Sequence, residues 1–349
     1  MRARRPIAAL AAGVLTLGAC SGPSRPVPAP PTTATPSTLS PSTTGPVAAG
    51  PPSPLTGLPA GDPTTLSRPA LSIKVDNAPA ARPQAGLNDA DIVTEELVEG
   101  GLTRFLATYQ SSDAASVGPI RSGRLVDADL LKELGGGIFA YSGAAAGELA
   151  VIRASSGALL LTPDTGDAGF HRDVSRPAPS NLFTSTTELY RAALTRDPAL
   201  IAPSALFTYA ATVPVGTAAT GATLTFSGSA SAAWTWSPGT GMYTRVEDGS
   251  PHLLVGGAQV SATDVVILSV GVRASGYVDA AHNSVPAVIV IGSGPCWVLR
   301  DGIVEEGRWQ RASPEVPVAL VGADGQPLTL RPGRTWLELL PNPAVPGIH

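Results

Sequence analysis

Only two lysines (Lys74 and Lys132) and two cysteines (Cys20 and Cys296) occur in 349 residues, and charged side chains make up just 14% of the chain. The formal charge is -4, so the basic surplus that marks a nucleic-acid binder is missing and no nucleic-acid partner is expected. The four histidines (171, 252, 282 and 349) show no metal-ligand spacing, which argues against a zinc site. Also missing are a P-loop, a Gly-x-Ser-x-Gly elbow, a Ser-x-x-Lys pair and a His-Glu-x-x-His helix, so no cofactor or standard nucleophile is implied. Cys296 sits in an apolar run, Pro295-Cys296-Trp297-Val298-Leu299, where a lone cysteine is ordinarily a small core residue.

What is present begins with an export pattern. Arg2, Arg4 and Arg5 precede the apolar run from Pro6 to Leu17, which is shorter than the roughly 20 residues needed to span a bilayer. It ends in Leu17-Gly18-Ala19-Cys20-Ser21, a small-residue approach to a cysteine that resembles a bacterial lipobox. The expectation is a signal peptide at 1–19, acylation of Cys20, and a lipid anchor holding the protein to the extracytoplasmic face of the cell membrane. Two or three acyl chains anchor far more firmly than one. Loss of Arg2, Arg4 and Arg5 moves the formal charge from -4 to -7, so lipid rather than electrostatic attraction must tether the chain. If Cys20 is acylated, Cys296 has no disulfide partner. Residues 20–53 are mostly Pro, Ser, Thr, Ala and Gly without an aromatic residue, the composition of an extended linker.

From residue 54 the pattern is globular and reads as α+β: an N-terminal mixed α/β domain at 54–197 followed by a mainly antiparallel β domain at 204–343. Strands are expected at Pro69–Val75, Ile92–Val98 and Leu102–Tyr109, the last two joined through Gly100-Gly101. Helices are expected at Leu125–Leu134, stopped by Gly135-Gly136-Gly137, and at Ala144–Ala154. A third follows the capping box Ser185-Thr186-Thr187-Glu188. The second half offers ten strand candidates, beginning at Leu206–Ala210 and ending at Thr335–Leu340. Asp248-Gly249, Asp301-Gly302 and Asp324-Gly325 provide hairpin turns between them.

Chemistry concentrates between Arg68 and Arg124. Arg121 and Arg124 flank Ser122-Gly123 just before a helix, where free N–H groups and the positive end of the dipole favour an anion. Arg82, Arg104, Arg121, Ser122, Arg124, Arg172 and Asn181 are therefore candidates for binding an anionic envelope ligand or protein partner. The competing reading pairs these arginines internally with Asp76, Glu95 or Glu99. Those carboxylates are also the candidates for acid–base work if the chain is a cell-envelope hydrolase or transferase. Alternation along a strand would put Glu95 and Glu99 on one face and Glu96 on the other.

These residues carry a family resemblance. Ile73-Lys74-Val75-Asp76-Asn77, Arg82-Pro83-Gln84, Ala90-Asp91-Ile92-Val93, Leu97-Val98-Glu99-Gly100-Gly101-Leu102-Thr103-Arg104-Phe105 and Gly118-Pro119-Ile120-Arg121-Ser122 resemble the YerB-like lipoproteins, the DUF3048 family. Gly302, Trp309, Pro332-Gly333-Arg334-Thr335-Trp336 and Pro341 resemble its second domain. The resemblance covers about 54–343 and implies a two-part extracytoplasmic lipoprotein without an established activity. The chain departs from it at Ala178-Pro179-Ser180-Asn181, where members tend to have histidine in place of Ser180, and at Gly123, where alanine is expected. A family reaction therefore does not rest on that imidazole, or this chain has lost it.

Overall fold

The computed structural model describes residues 50–279 and 282–349, so Cys20, the signal peptide and most of the linker lie outside the described residues. Residues just ahead of the expected boundary at 54 belong to the fold. Ser53 is buried, and its hydroxyl donates to Gln110 Oε1 at 3.4 Å.

The first strands are β1 (Leu71–Asp76), β2 (Ile92–Leu97) and β3 (Thr103–Tyr109), with nearly every residue buried. Burial on both faces marks strands covered from two sides. Gly100 and Gly101 turn β2 into β3 at φ 71° and 72°, a left-handed conformation that glycine adopts without a Cβ penalty. There follow α1 (Leu125–Glu133), β4 (Ile138–Ala140), α2 (Ala146–Ser155) and β5 (Leu159–Leu161). A two-stranded ribbon, β6 (His171–Arg172) with β7 (Leu182–Phe183), leads to α3 (Thr186–Arg196). Ser185 caps α3, its hydroxyl accepting from the Glu188 N–H at 3.3 Å as the capping box requires.

Strands then predominate: β8 (Thr217–Ala218), β9 (Gly221–Ser227), β10 (Ala230–Ser237), β11 (Met242–Glu247), β12 (Ser250–Pro251) and β13 (Ser261–Ala262). After them come β14 (Asp264–Val278), β15 (Ser284–Ile289), β16 (Gly292–Arg300), β17 (Ile303–Arg311), β18 (Ala319–Gly322), β19 (Thr335–Pro341) and β20 (Gly347–Ile348). Asp248-Gly249 and Asp301-Gly302 make the expected hairpins, with φ of 47° and 78° in the first and 52° and 77° in the second. Leu206–Ala210 forms no strand. It holds one bridge, Tyr209 to Leu330, while the Tyr209 hydroxyl donates to the Leu55 carbonyl at 2.6 Å.

One long mixed sheet runs in the order β18-β17-β16-β14-β19-β2-β3-β1-β4-β5, and a second is ordered β12-β11-β10-β9-β20. The connection after residue 197 is irregular, and the long sheet continues beyond it. β19 lies parallel between β14 and β2, pairing Leu337 with Val266 and Thr94, and Glu338 with Ile267 and Glu95. The described residues accordingly belong to one compact unit. The alternation of β14 divides the core. Val265 and Ile267 join Phe105, Trp234 and Trp336 on one face, whereas Val266 and Leu268 join Leu131, Phe139 and Leu337 on the other. The fold is thus α+β with strand predominating.

Candidate functional site

The hairpin after β2 decides where its acids go. Glu95 and Glu96 point to opposite faces, but Glu99 has left the strand for the turn Glu99–Gly101, so it does not share a face with Glu95 as strict alternation would have it. Three separate charge clusters result.

Glu96 meets the Lys74 ammonium, which also donates to Asp127 Oδ1 at 2.8 Å, and all three side chains are 0% exposed. Burial raises the Glu96 carboxyl to about 7 in spite of Lys74. Asp127 is also the N3 residue of α1 and accepts from the Arg124 N–H at 2.7 Å, so this cluster fixes where the helix starts.

Glu95 enters a second cluster with residues from beyond 200. Arg245 Nη2 donates to Glu95 Oε2 at 2.5 Å, Arg245 also pairs with Glu247, and its Nε lies 3.9 Å from Glu338 Oε1. Trp234 Nε1 donates to Glu338 Oε1 at 2.7 Å, and Asn77 bridges Glu95 and Glu247. Burial raises Glu95 to about 8 against the pull of Arg245. Burial lowers Arg245, but Glu95, Glu247 and Glu338 together outweigh it and raise its pKa. Buried His252 is held neutral, first by burial and then by the nearby charges of Arg245 and Arg82. Arg82 belongs at the rim of this cluster, donating to Glu247 Oε1 at 3.0 Å and to Asp248 Oδ2 at 2.8 Å.

The third cluster borders open space. Glu99 accepts from Arg104 Nη2 at 3.1 Å and Arg124 Nε at 2.8 Å, and also pairs with Arg124 Nη2. Burial pushes Glu99 up, but these guanidiniums prevail and hold it below the usual carboxylate range. Arg104 and Arg124 are 5% and 4% exposed. Arg121 is the most accessible of the three, with 27% of its side chain exposed; its Nε lies 3.1 Å from Asp76 Oδ2 without hydrogen-bond alignment. Together with Ser122, Glu148 and the small residues Gly143 to Ala146 at the start of α2, these arginines line a cleft of about 590 Å3. Val278 and Asp279, at the end of β14, complete the lining. That arm packs so closely on α2 that a Cβ at Gly147 would lie 2.1 Å from Tyr277. Arg104 Nε is buried without an acceptor, and burial followed by the neighbouring Arg124 charge lowers its pKa.

Of the expected ligand-binding residues, Arg104, Arg121, Ser122 and Arg124 line this cleft, while Arg82 belongs to the second cluster. Arg172 lies in the β6–β7 ribbon and donates to Asn181 Oδ1 at 2.7 Å, away from the cleft walls. Among the carboxylates, Glu99 lines the cleft, Asp76 lies behind Arg121, and Glu95 is sealed in the core. Ser180 donates to Asp76 Oδ2 at 3.0 Å, so the position where family histidine is expected carries a hydroxyl on a buried carboxylate. No group of three or more His, Cys, Asp or Glu side chains is arranged to hold a metal among the described residues. Cys296 is buried in β16, and burial pushes its thiol up to about 12.

Sequence reasoning missed Arg245, Glu338 and Glu148. The first two were detectable: alternation in β11 places Arg245 and Glu247 on the inward face with Tyr243, and Glu338 is the lone acid in Trp336-Leu337-Glu338-Leu339-Leu340. Glu148 is the N3 residue of α2, and an acid there reads simply as a helix start.

An α+β protein built on one mixed sheet, with an arginine-lined cleft against its first half, is thus defined. Residues 55–199 match the N-terminal domain, and 222–337 the C-terminal domain, of a protein of unknown function, DUF3048. The chain belongs to this family. YerB of Bacillus subtilis (strain 168), a protein named as a lipoprotein, is 39% identical over 142 residues, which span 40% of this chain and 42% of that relative. The crystal structure of YerB protein from Bacillus subtilis superposes with a TM-score of 0.73 at 26% identity, covering 85% of this chain and 99% of that one.

Proposed function

We propose that the chain is a lipoprotein, held on the extracytoplasmic side of the cell membrane by acyl groups on Cys20, whose cleft binds an anionic ligand of the cell envelope. The lipobox-like sequence and the name of the Bacillus subtilis relative support the anchor. No helix among the described residues is long and apolar enough to cross a membrane. Cys20→Ser is expected to move the protein from the membrane fraction to the soluble fraction; retention of the variant in the membrane would refute acylation as the tether.

The observation that carries the binding reading is the combination of a buried guanidinium nitrogen without an acceptor, on Arg104, with the accessible Arg121 in the same cleft. Charge-assisted, bidentate contacts make arginine well suited to phosphate and carboxylate. A neighbouring helix N-terminus favours the same charge. Glu99 neutralises part of the positive charge, leaving Arg121 as the group free to turn from Asp76 to a ligand. For the full chain in detergent, inorganic phosphate is expected to give a saturable heat of binding, weakened at least tenfold by Arg121→Ala, about 1.4 kcal/mol. Absence of binding to phosphate and sulfate by the unaltered chain would remove the reading. The alternative of a hydrolase or transferase using Asp76, Glu95 or Glu99 draws less support, since neither Asp76 nor Glu95 lines the cleft and Glu99 is tied up by Arg104 and Arg124.

A further inference from the structure

A second residue of the cleft lining carries an unpartnered atom, and it is an acceptor. Glu148 is 0% exposed, its Oε2 accepts from the Ala145 N–H at 3.3 Å, and its Oε1 has no donor. Arg124 Nη1 approaches Oε2 only to 3.8 Å, because Glu99 and the Gly123 carbonyl already hold that guanidinium. A buried polar atom without a partner carries an uncompensated desolvation cost, which a suitable ligand atom would recover. Arg104, with a guanidinium nitrogen lacking an acceptor, and Glu148, with a carboxyl oxygen lacking a donor, thus line the same 590 Å3 space. A simple anion satisfies the first and leaves the second.

We propose that the cleft selects a phosphate ester of a polyol, with its phosphoryl oxygens on Arg104 and Arg121 and a nearby hydroxyl on Glu148. This rests on the anion-binding reading above and narrows it. The partner of Glu148 is a hydroxyl rather than an ammonium for two reasons. Glu99 and Asp279 line the cleft as well and offset Arg104 and Arg121, but Arg124 Nη1, 3.8 Å from Glu148 Oε2, already sets a cation beside that carboxyl and would repel a second. Burial also raises the pKa of Glu148, and a hydroxyl can pair with the carboxyl in either protonation state, whereas an ammonium requires the ionised one. The remaining wall suits a small polyol. Gly143, Ala144, Ala145 and Ala146 project nothing larger than a methyl group, so the carbon skeleton can lie against the start of α2.

The test compares glycerol 3-phosphate, inorganic phosphate and O-phosphoethanolamine on the full chain in detergent by calorimetry. Glycerol 3-phosphate is expected to bind at least tenfold more tightly than the other two. Glu148→Ala should abolish that advantage, so that within the variant glycerol 3-phosphate and phosphate bind within threefold of each other. Glu148→Gln, which can still pair with a hydroxyl, should retain most of the advantage. If phosphate binds but glycerol 3-phosphate binds no better, this inference fails and the anion-binding reading stands; if neither binds, both fail. Vesicles of phosphatidylcholine with and without phosphatidylglycerol separate the sources. Glycerol phosphate-competed capture by the anionic vesicles assigns the unit to a lipid headgroup, and solution binding without capture assigns it to a soluble or polymeric polyol phosphate.

Discussion

Arg245→Met is expected to destabilise the protein by about 3–5 kcal/mol, the cost of removing one partner from a buried ion cluster. The guanidinium is 0% exposed and faces Glu95, Glu247 and Glu338. It also lies over the rings of Phe105, Trp234 and Trp336, at 5.4, 5.9 and 5.1 Å from their centroids. Methionine fills a similar volume between those rings, so the expected loss is electrostatic rather than a cavity. Arg82 still reaches Glu247, but Glu95 and Glu338 lose their only guanidinium. Urea unfolding at neutral pH reads the effect, and a loss below about 1 kcal/mol would show that the cluster does not depend on this charge. In a double-mutant cycle, Glu95→Gln should recover part of the loss, since the pair is in direct contact. That coupling is informative about architecture, because Arg245 and Glu95 belong to the two separate family-matched segments.

The limits of the sequence are clearest at this junction. The strands themselves were legible: alternation and glycine turns place β1, β2, β3 and β11 within one or two residues of where they occur, and Ser185 marks the start of α3. The partners of a strand are another matter. Nothing in Thr335–Pro341 says that it lies between β14 and β2, because parallel pairing leaves no turn to read and a two-sided apolar pattern fits any interior position. The cleft was legible in part for the same reason. Arg121, Ser122 and Arg124 are close in sequence, and Arg104 falls beside them because β3 pairs with β1 so that Arg104 opposes Asp76. Arg172 looked similar on paper, but its ribbon carries it to Asn181. Glu95 looked like a catalytic acid only because its partner, Arg245, lies 150 residues away.

Stability should fall as pH rises from 6.5 to 8.5. Glu95 and Glu338 oppose each other in adjacent parallel strands, and Arg245 between them is shared with Glu247, while Glu338 Oε2 has no donor. Two such carboxylates sharing less than one guanidinium keep a proton. Burial raises both, Glu95 to about 8 against an ordinary value of 4.5. A carboxyl whose folded pKa is raised contributes stability that is complete below the unfolded value and is lost as pH climbs through the folded one. Each proton kept by the folded chain and lost by the unfolded chain makes stability fall by about 1.4 kcal/mol per pH unit in that window. Glu96 and Glu133, raised to about 7, and Asp264, raised to about 8, act with the same sign. His252 acts with the opposite sign, but the unfolded imidazole, with its ordinary value near 6.5, is nearly deprotonated one unit above it, so it counters the slope only at the lower edge of the window. Glu338→Gln isolates the pair: its amide oxygen can still accept from Trp234 Nε1, and its NH2 replaces the shared proton as a donor to Glu95. The variant should be flatter than the parent across pH 6.5–8.5 by about one proton's slope and the more stable of the two at pH 8.5. Urea midpoints that stay level or rise with pH in the parent, or fall equally in both proteins, would show that no proton is held between these strands.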